Sequence, residues 1–130
     1  MIAKRFEDLI VWQLADELQK EIFAFTRQPP ACRDRKFCDQ IQDSIRSVTR
    51  NAAEGFGRFQ PKDFRGFLRF AAGSLHETNN HLSDARKLGY ISAKEFDRMR
   101  RLTLRAIKAN NRLMNYLQTA TAPTPYSNEP

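Results

Sequence analysis

The chain has little histidine, little cysteine and no long apolar run, and each shortage removes a class of function. Its two histidines, His76 and His81, are five positions apart. Five residues is about 140° around a helix, so the pair cannot hold one metal from a common face. Glu77 and His81 do share a face, and a single pair four apart reads as a surface contact. The two cysteines, Cys32 and Cys38, fit neither a zinc nor a redox spacing and read as small apolar residues in a reducing compartment. The repeated Glu-x-x-His of a di-iron bundle is missing, as are a phosphate-binding glycine loop, a nucleophile elbow and a zinc-protease motif. No enzyme, metal or cofactor is expected. No stretch approaches the roughly 18 apolar residues of a membrane span, and no apolar run follows Lys4-Arg5 to make a secretory signal. The expectation is a cytoplasmic protein with no membrane partner. No segment alternates apolar and polar residues over any length, so no sheet is expected.

Helical periodicity is what the chain has in abundance. Its 130 residues suit one domain, long enough to bury a core without metal or disulfides. From about residue 8 to 27, Val11, Leu14, Ala15, Leu18, Ile22 and Phe25 recur at three- and four-residue steps, with Asp8 read as N-cap and Pro29-Pro30 as the stop. Trp12 and Phe23 lie together about 110° off that face. Large aromatics there mark either a helix packed from two sides or a subunit contact. A second helix is predicted over about 35–56, with Phe37, Ile41, Ile45, Val48 and Ala52 inward. A third, about 61–88, turns Phe64, Phe67, Leu68, Ala71, Leu75, Thr78, Leu82 and Ala85 inward. A fourth, about 93–119, opens on the capping box of Ser92 and Glu95 and buries Phe96, Met99, Leu102, Thr103, Ala106, Asn110, Leu113 and Leu117. Gly73-Ser74 beside Ala71-Ala72 reads as a small-residue patch that admits another helix. Residues 121–130 hold three prolines and read as a disordered tail. Four helices on short connections make an all-α, antiparallel up-down-up-down four-helix bundle over residues 1–120.

The corner from Asn51 to Arg58 punctuates this pattern. Gly55 and Gly57 read as a helix stop, because glycine can enter the left-handed conformation that satisfies the last carbonyls. Arg58 favours the negative end of the helix and stands four residues after Glu54. Pro61 fits the first turn of the next helix, and Asp63 favours its positive end. A competing reading makes Asn51, Glu54 and Arg58 a polar site.

Several stretches together also have a family look. They are Phe6-Glu7-Asp8-Leu9 followed by Val11-Trp12-Gln13, the segment from Asn51 to Arg58, then Phe64, Phe67-Leu68, Ala72-Gly73-Ser74-Leu75, Glu77 and Leu88-Gly89-Tyr90-Ile91. In that order they resemble the bacterial four helix bundle proteins, also known as 23S ribosomal RNA intervening-sequence proteins. The resemblance spans all four helices and marks Asn51, Glu54, Gly55, Gly57 and Arg58 as the family motif. It departs in the first loop, where Gln28-Pro29-Pro30-Ala31-Cys32 replaces a Phe-Pro and an acidic residue. It implies closed homo-oligomeric rings, typically pentamers. It also implies a likeness to the accessory variability determinants of diversity-generating retroelements, which are basic barrels that bind nucleic acid and a reverse transcriptase.

The charge agrees with such partners. There are 22 basic and 15 acidic residues, a net charge of +7, which permits binding to a polyanion. The excess is not scattered: residues 91–130 carry 7 basic and 3 acidic residues. Arg98, Arg101, Arg105, Lys108 and Arg112 step by three and four along the fourth helix and form one stripe about 150° from its apolar face. Lys62, Arg65 and Arg69 repeat the pattern on the third. Like charges stacked this way destabilise a helix slightly, and phosphates would neutralise them with release of counter-ions. No aromatic residues interleave the stripe, so base stacking has little support there. The expected function is a non-enzymatic basic oligomer that binds the backbone of RNA or DNA, or a nucleoprotein partner. The alternative is a protein-interaction scaffold whose stripe meets an acidic partner.

Overall fold

The helices begin and end where the local chemistry requires it. The computed structural model describes residues 3–120, which leaves the tail expected at 121–130 outside the described residues. Four helices follow in order: α1 (Ile10–Thr26), α2 (Arg35–Phe56), α3 (Pro61–Lys87) and α4 (Ala93–Thr119). Short 3-10 turns at Phe6–Asp8 and Ala31–Arg33 precede α1 and α2. There is no strand among the described residues. Among the described residues no helix is long and apolar enough to cross a membrane.

Asp34 caps α2 by accepting the Phe37 N–H at 3.2 Å. Pro61 occupies the first turn of α3, where its missing N–H leaves no hydrogen bond unmade. The far end of α3 closes through Gly89 at φ 78°, which lets Tyr90 N–H reach Ala85 O at 2.8 Å and Gly89 N–H reach Arg86 O at 3.2 Å. That pair of bonds is the Schellman closure. Ser92 and Glu95 exchange the two bonds of a capping box at the start of α4. One cap differs from expectation. Leu9, not Asp8, precedes α1; the Asp8 carboxylate turns back to accept the Lys4 and Arg5 N–H groups at 3.0 and 3.2 Å.

Cross-helix hydrogen bonds give the topology. Gln19 meets Thr49 and Thr26 meets Gln42, so α1 and α2 run in opposite directions. Ser47 meets Ser74 and Ser44 meets Thr78, which sets α3 antiparallel to α2. Asn110, fully buried, donates to Leu68 O at 2.9 Å and ties α4 to α3. The Arg98–Glu21 pair closes α4 against α1. The result is an up-down-up-down bundle around one apolar core. All the inward residues expected on α1 and α2 are buried; on α3 and α4 only Phe67, Phe96 and Leu113 are half-buried. Cys38 is buried and donates to Ala31 O at 3.1 Å. Burial raises its thiol pKa, so it stays protonated in the core.

Two glycine expectations are overturned. Gly55 and Gly57 do not adopt the left-handed conformation; among the described glycines only Gly89 has positive φ. Gly55 sits inside α2 and is buried, because α3 passes too close for a side chain. A Cβ there would stand 2.8 Å from Phe64 Cδ1 and 2.9 Å from Phe67 Cβ. Of the small-residue patch expected to admit a helix, Gly73 faces open space, but Ser74 does meet α2. The close approach runs along Ser44, Ser47, Ser74 and Thr78, whose short hydroxyls hydrogen-bond across the α2–α3 seam.

Gly55→Ala should therefore lower stability: an overpacking penalty of about 1–3 kcal/mol opposes a helix-propensity gain of about 1 kcal/mol. Gly73→Ala should raise stability by up to about 1 kcal/mol, since only propensity acts there. Denaturant unfolding separates them, and a stabilised Gly55→Ala would contradict the close approach. A second test concerns Asp34, whose pKa is lowered first by the Tyr90 O–H at 2.6 Å and then by the Phe37 N–H. The unfolded chain then takes up this proton at higher pH than the folded one. The resulting stabilisation is complete above the ordinary value of 3.8 and fades as pH falls through the folded value. Tyr90→Phe should melt earlier than the native chain at neutral pH, with the gap narrowing as pH falls below 3.8. A gap that stays constant with pH would remove Asp34 from the account.

Candidate nucleic-acid interface

The basic stripe is present on α4, but it is shorter than its spacing suggests. Arg98 donates its Nε–H to Glu21 Oε1 at 2.8 Å, so its charge is met by α1 of the same chain. Arg101, Arg105, Lys108 and Arg112 are exposed and form no ion pair among the described residues. Four cations on one line thus keep their fields directed at solvent.

Beside them lies a groove of about 650 Å³ between the start of α1 and the last turns of α4. Leu9, Val11, Leu14 and Leu113 give it an apolar wall, and Arg105, Lys108 and Arg112 stand on its α4 side. Ile10 and Tyr116 edge it at 64% and 46% exposure. Asp8 is the acidic residue lining it. Its pKa is lowered by the Lys4 and Arg5 N–H groups, and its carboxylate is already engaged there.

Lys62, Arg65 and Arg69 do not join this groove. They line a separate depression of about 500 Å³ at the α2–α3 corner, together with Arg58 and Phe70. The two basic groups predicted from spacing are therefore two surfaces, not one. At the corner, sequence reasoning missed Phe59 and Phe70, which are 61% and 67% exposed. The signal was available: Phe70 falls roughly 120° from the core face of α3, where a polar residue belongs.

With four helices and their basic faces in place, comparison with known families decides the relationship. The 23S rRNA-intervening sequence protein family matches residues 7–112. The chain belongs to that family. No curated protein matches it.

In this member of the family, the motif from Asn51 to Arg58 holds the corner together. Asn51 donates its amide to Ser47 O at 2.8 Å and Ser47 Oγ at 3.0 Å, joining the hydroxyl seam. Arg58 pairs with Glu54 at 3.0 Å and lays its guanidinium 4.7 Å from the Phe67 ring centre. Gly55 permits the close approach, and Gly57 lets its N–H return to Glu54 O at the end of α2. Asn51 and the Glu54–Arg58 pair thus have separate hydrogen-bond partners. Among the described residues no three His, Cys, Asp or Glu side chains gather as a metal site. His81 stands 3.8 Å from Glu77 and edge-on to Phe37.

Trp12 and Phe23 are half-buried and already partly covered by their own chain. Phe6 packs edge-on against Trp12 with ring centres 5.4 Å apart, and the Arg46 guanidinium lies 4.7 Å over Phe23. A subunit contact would have to use what remains open of both rings. Sedimentation checks this: Trp12→Ala should yield a smaller species than the native chain. An unchanged size would assign the ring to its own subunit alone.

Proposed function

We propose that this protein is a non-enzymatic, homo-oligomeric bundle that binds the sugar-phosphate backbone of RNA or DNA along α4. One observation carries the reading: Arg101, Arg105, Lys108 and Arg112 share a line on α4 with no carboxylate partner among the described residues. Phosphates arriving there would displace condensed counter-ions, which makes affinity backbone-driven and steeply salt dependent. The family's name, which ties its members to an intervening sequence of 23S rRNA, is in keeping with a nucleic-acid role. A closed ring, with a pentamer as the expected size, would repeat the stripe and add avidity without any new contact. Within this reading, the protein partner is a reverse transcriptase or another enzyme that holds the same nucleic acid.

The α1–α4 groove favours a second reading. Its apolar wall and cationic edge suit an acidic amphipathic segment of another protein, with the bundle acting as a scaffold. Salt titration of duplex binding distinguishes the two. The slope of log affinity against log salt should shrink by about 3 when Arg105, Lys108 and Arg112 are all changed to Gln. It should steepen by about 1 in Glu21→Gln, which releases Arg98 to the stripe. A native chain that ignores duplex at low salt, or variants that leave the slope unchanged, would refute backbone binding by α4.

A further inference from the structure

The α2–α3 corner differs in kind from the α4 stripe. Residues 58–70 contain Arg58, Lys62, Arg65 and Arg69 against one acid, Asp63, and they also contain four phenylalanines. Two of these serve the fold: Phe64 is fully buried, and Phe67 is half-buried beneath Arg58. The other two, Phe59 and Phe70, turn outward at 61% and 67% exposure. A lone exposed apolar residue needs no explanation. Two exposed phenyl rings within twelve residues of a stretch that also carries four cations are a different matter, and Phe70 lines the depression those cations share.

The depression between these cations has further features of a ligand site. Gly66 lines it without a side chain, so its surface is open there. Arg65 also lines it, and its Nε is buried with no hydrogen-bond acceptor among the described residues. A buried charged donor without an acceptor is unfavourable. Arg58 is oriented by its pairing with Glu54 and its stacking on Phe67.

We propose that this corner binds unpaired nucleotides. Phe59 and Phe70 stack on exposed bases, while Lys62, Arg65 and Arg69 take the flanking phosphates. The inference rests on the nucleic-acid reading above and narrows it to single strands at this one surface. Duplex cannot use the two phenyl rings, because its bases are already stacked on each other, whereas an unpaired base offers a free face to any aromatic plate. A second copy of the same corner is a poor occupant. Two such patches face to face would oppose eight cations with only two acids between them.

The test compares a labelled twelve-nucleotide RNA, single-stranded, with the same sequence as a duplex. Phe59→Leu combined with Phe70→Leu keeps the apolar bulk and removes the aromatic faces. Affinity for the single strand should fall on the order of ten-fold or more, with duplex affinity unchanged. Changing Arg105, Lys108 and Arg112 to Gln should weaken duplex binding instead. Equal loss on both forms, or no loss on either, overturns the corner site while leaving duplex binding by α4 standing. A change in sedimentation size in the Leu variant also overturns it, because the patch would then be a subunit contact. Failure of the native chain to bind either form removes this proposal and the backbone reading together.

Discussion

Everything at the functional end of the bundle depends on how closely α2 and α3 can approach. Gly55 allows it at one point, where even a methyl group would meet Phe64 and Phe67. Ser44, Ser47, Ser74 and Thr78 allow it along the rest of the seam, with short side chains that satisfy each other's polar atoms. Small residues alone would leave buried hydroxyls unpaired, and buried polar groups without partners are unfavourable. Paired across the seam, they let two backbones draw together without that penalty. The approach fixes where α2 must end and where Pro61 can begin. It therefore fixes where Arg58, Lys62, Arg65 and Arg69 stand relative to one another.

The same constraint sorts the aromatic residues. Phe64 fills the space beneath Gly55, and Phe67 supports the Arg58 guanidinium. Phe59 and Phe70 have no part in that packing and stay exposed, Phe70 because its position on α3 points it away from the core. They are left outside among cations, where an aliphatic or polar residue would be easier to accommodate. On α4 the arrangement is simpler. Arg98 is drawn to Glu21, while the cations further along the stripe, beside the apolar groove, have no such neighbour among the described residues. The molecule thus carries two basic surfaces of different chemistry: one mainly a line of charge, the other charge mixed with flat apolar rings.

Much of this was legible in advance, and the misses have definite causes. The core residues of α1 and α2 followed from apolar spacing, because a side chain's direction around its own helix axis depends on position alone. The Ser92–Glu95 box and Pro61 were readable for the same reason: their partners lie within one turn. Gly55 was misread as a left-handed stop because a glycine near a helix end has two explanations, conformation and clearance, and only the position of Phe64 separates them. The small-residue patch at Gly73-Ser74 was right for Ser74, which meets α2, and wrong for Gly73, since nothing in its neighbours along the chain says that no helix lies opposite it. Asp8 was assigned to the wrong job because its carboxylate turns back to N–H groups before α1, not forward into it.

What the sequence determined by itself is the set of properties local to each helix: its extent, its buried face and the periodic line of cations on α4. These need only the pitch of the helix and the chemistry of neighbouring residues. The tertiary structure decided everything that depends on distances between helices. It paired Arg98 with Glu21, 77 positions away in the chain, separated the α3 cations from those of α4, and left the corner residue Phe59 facing outward. Spacing along one helix carries no information about which surface of another will stand opposite, and that is the reason for the division.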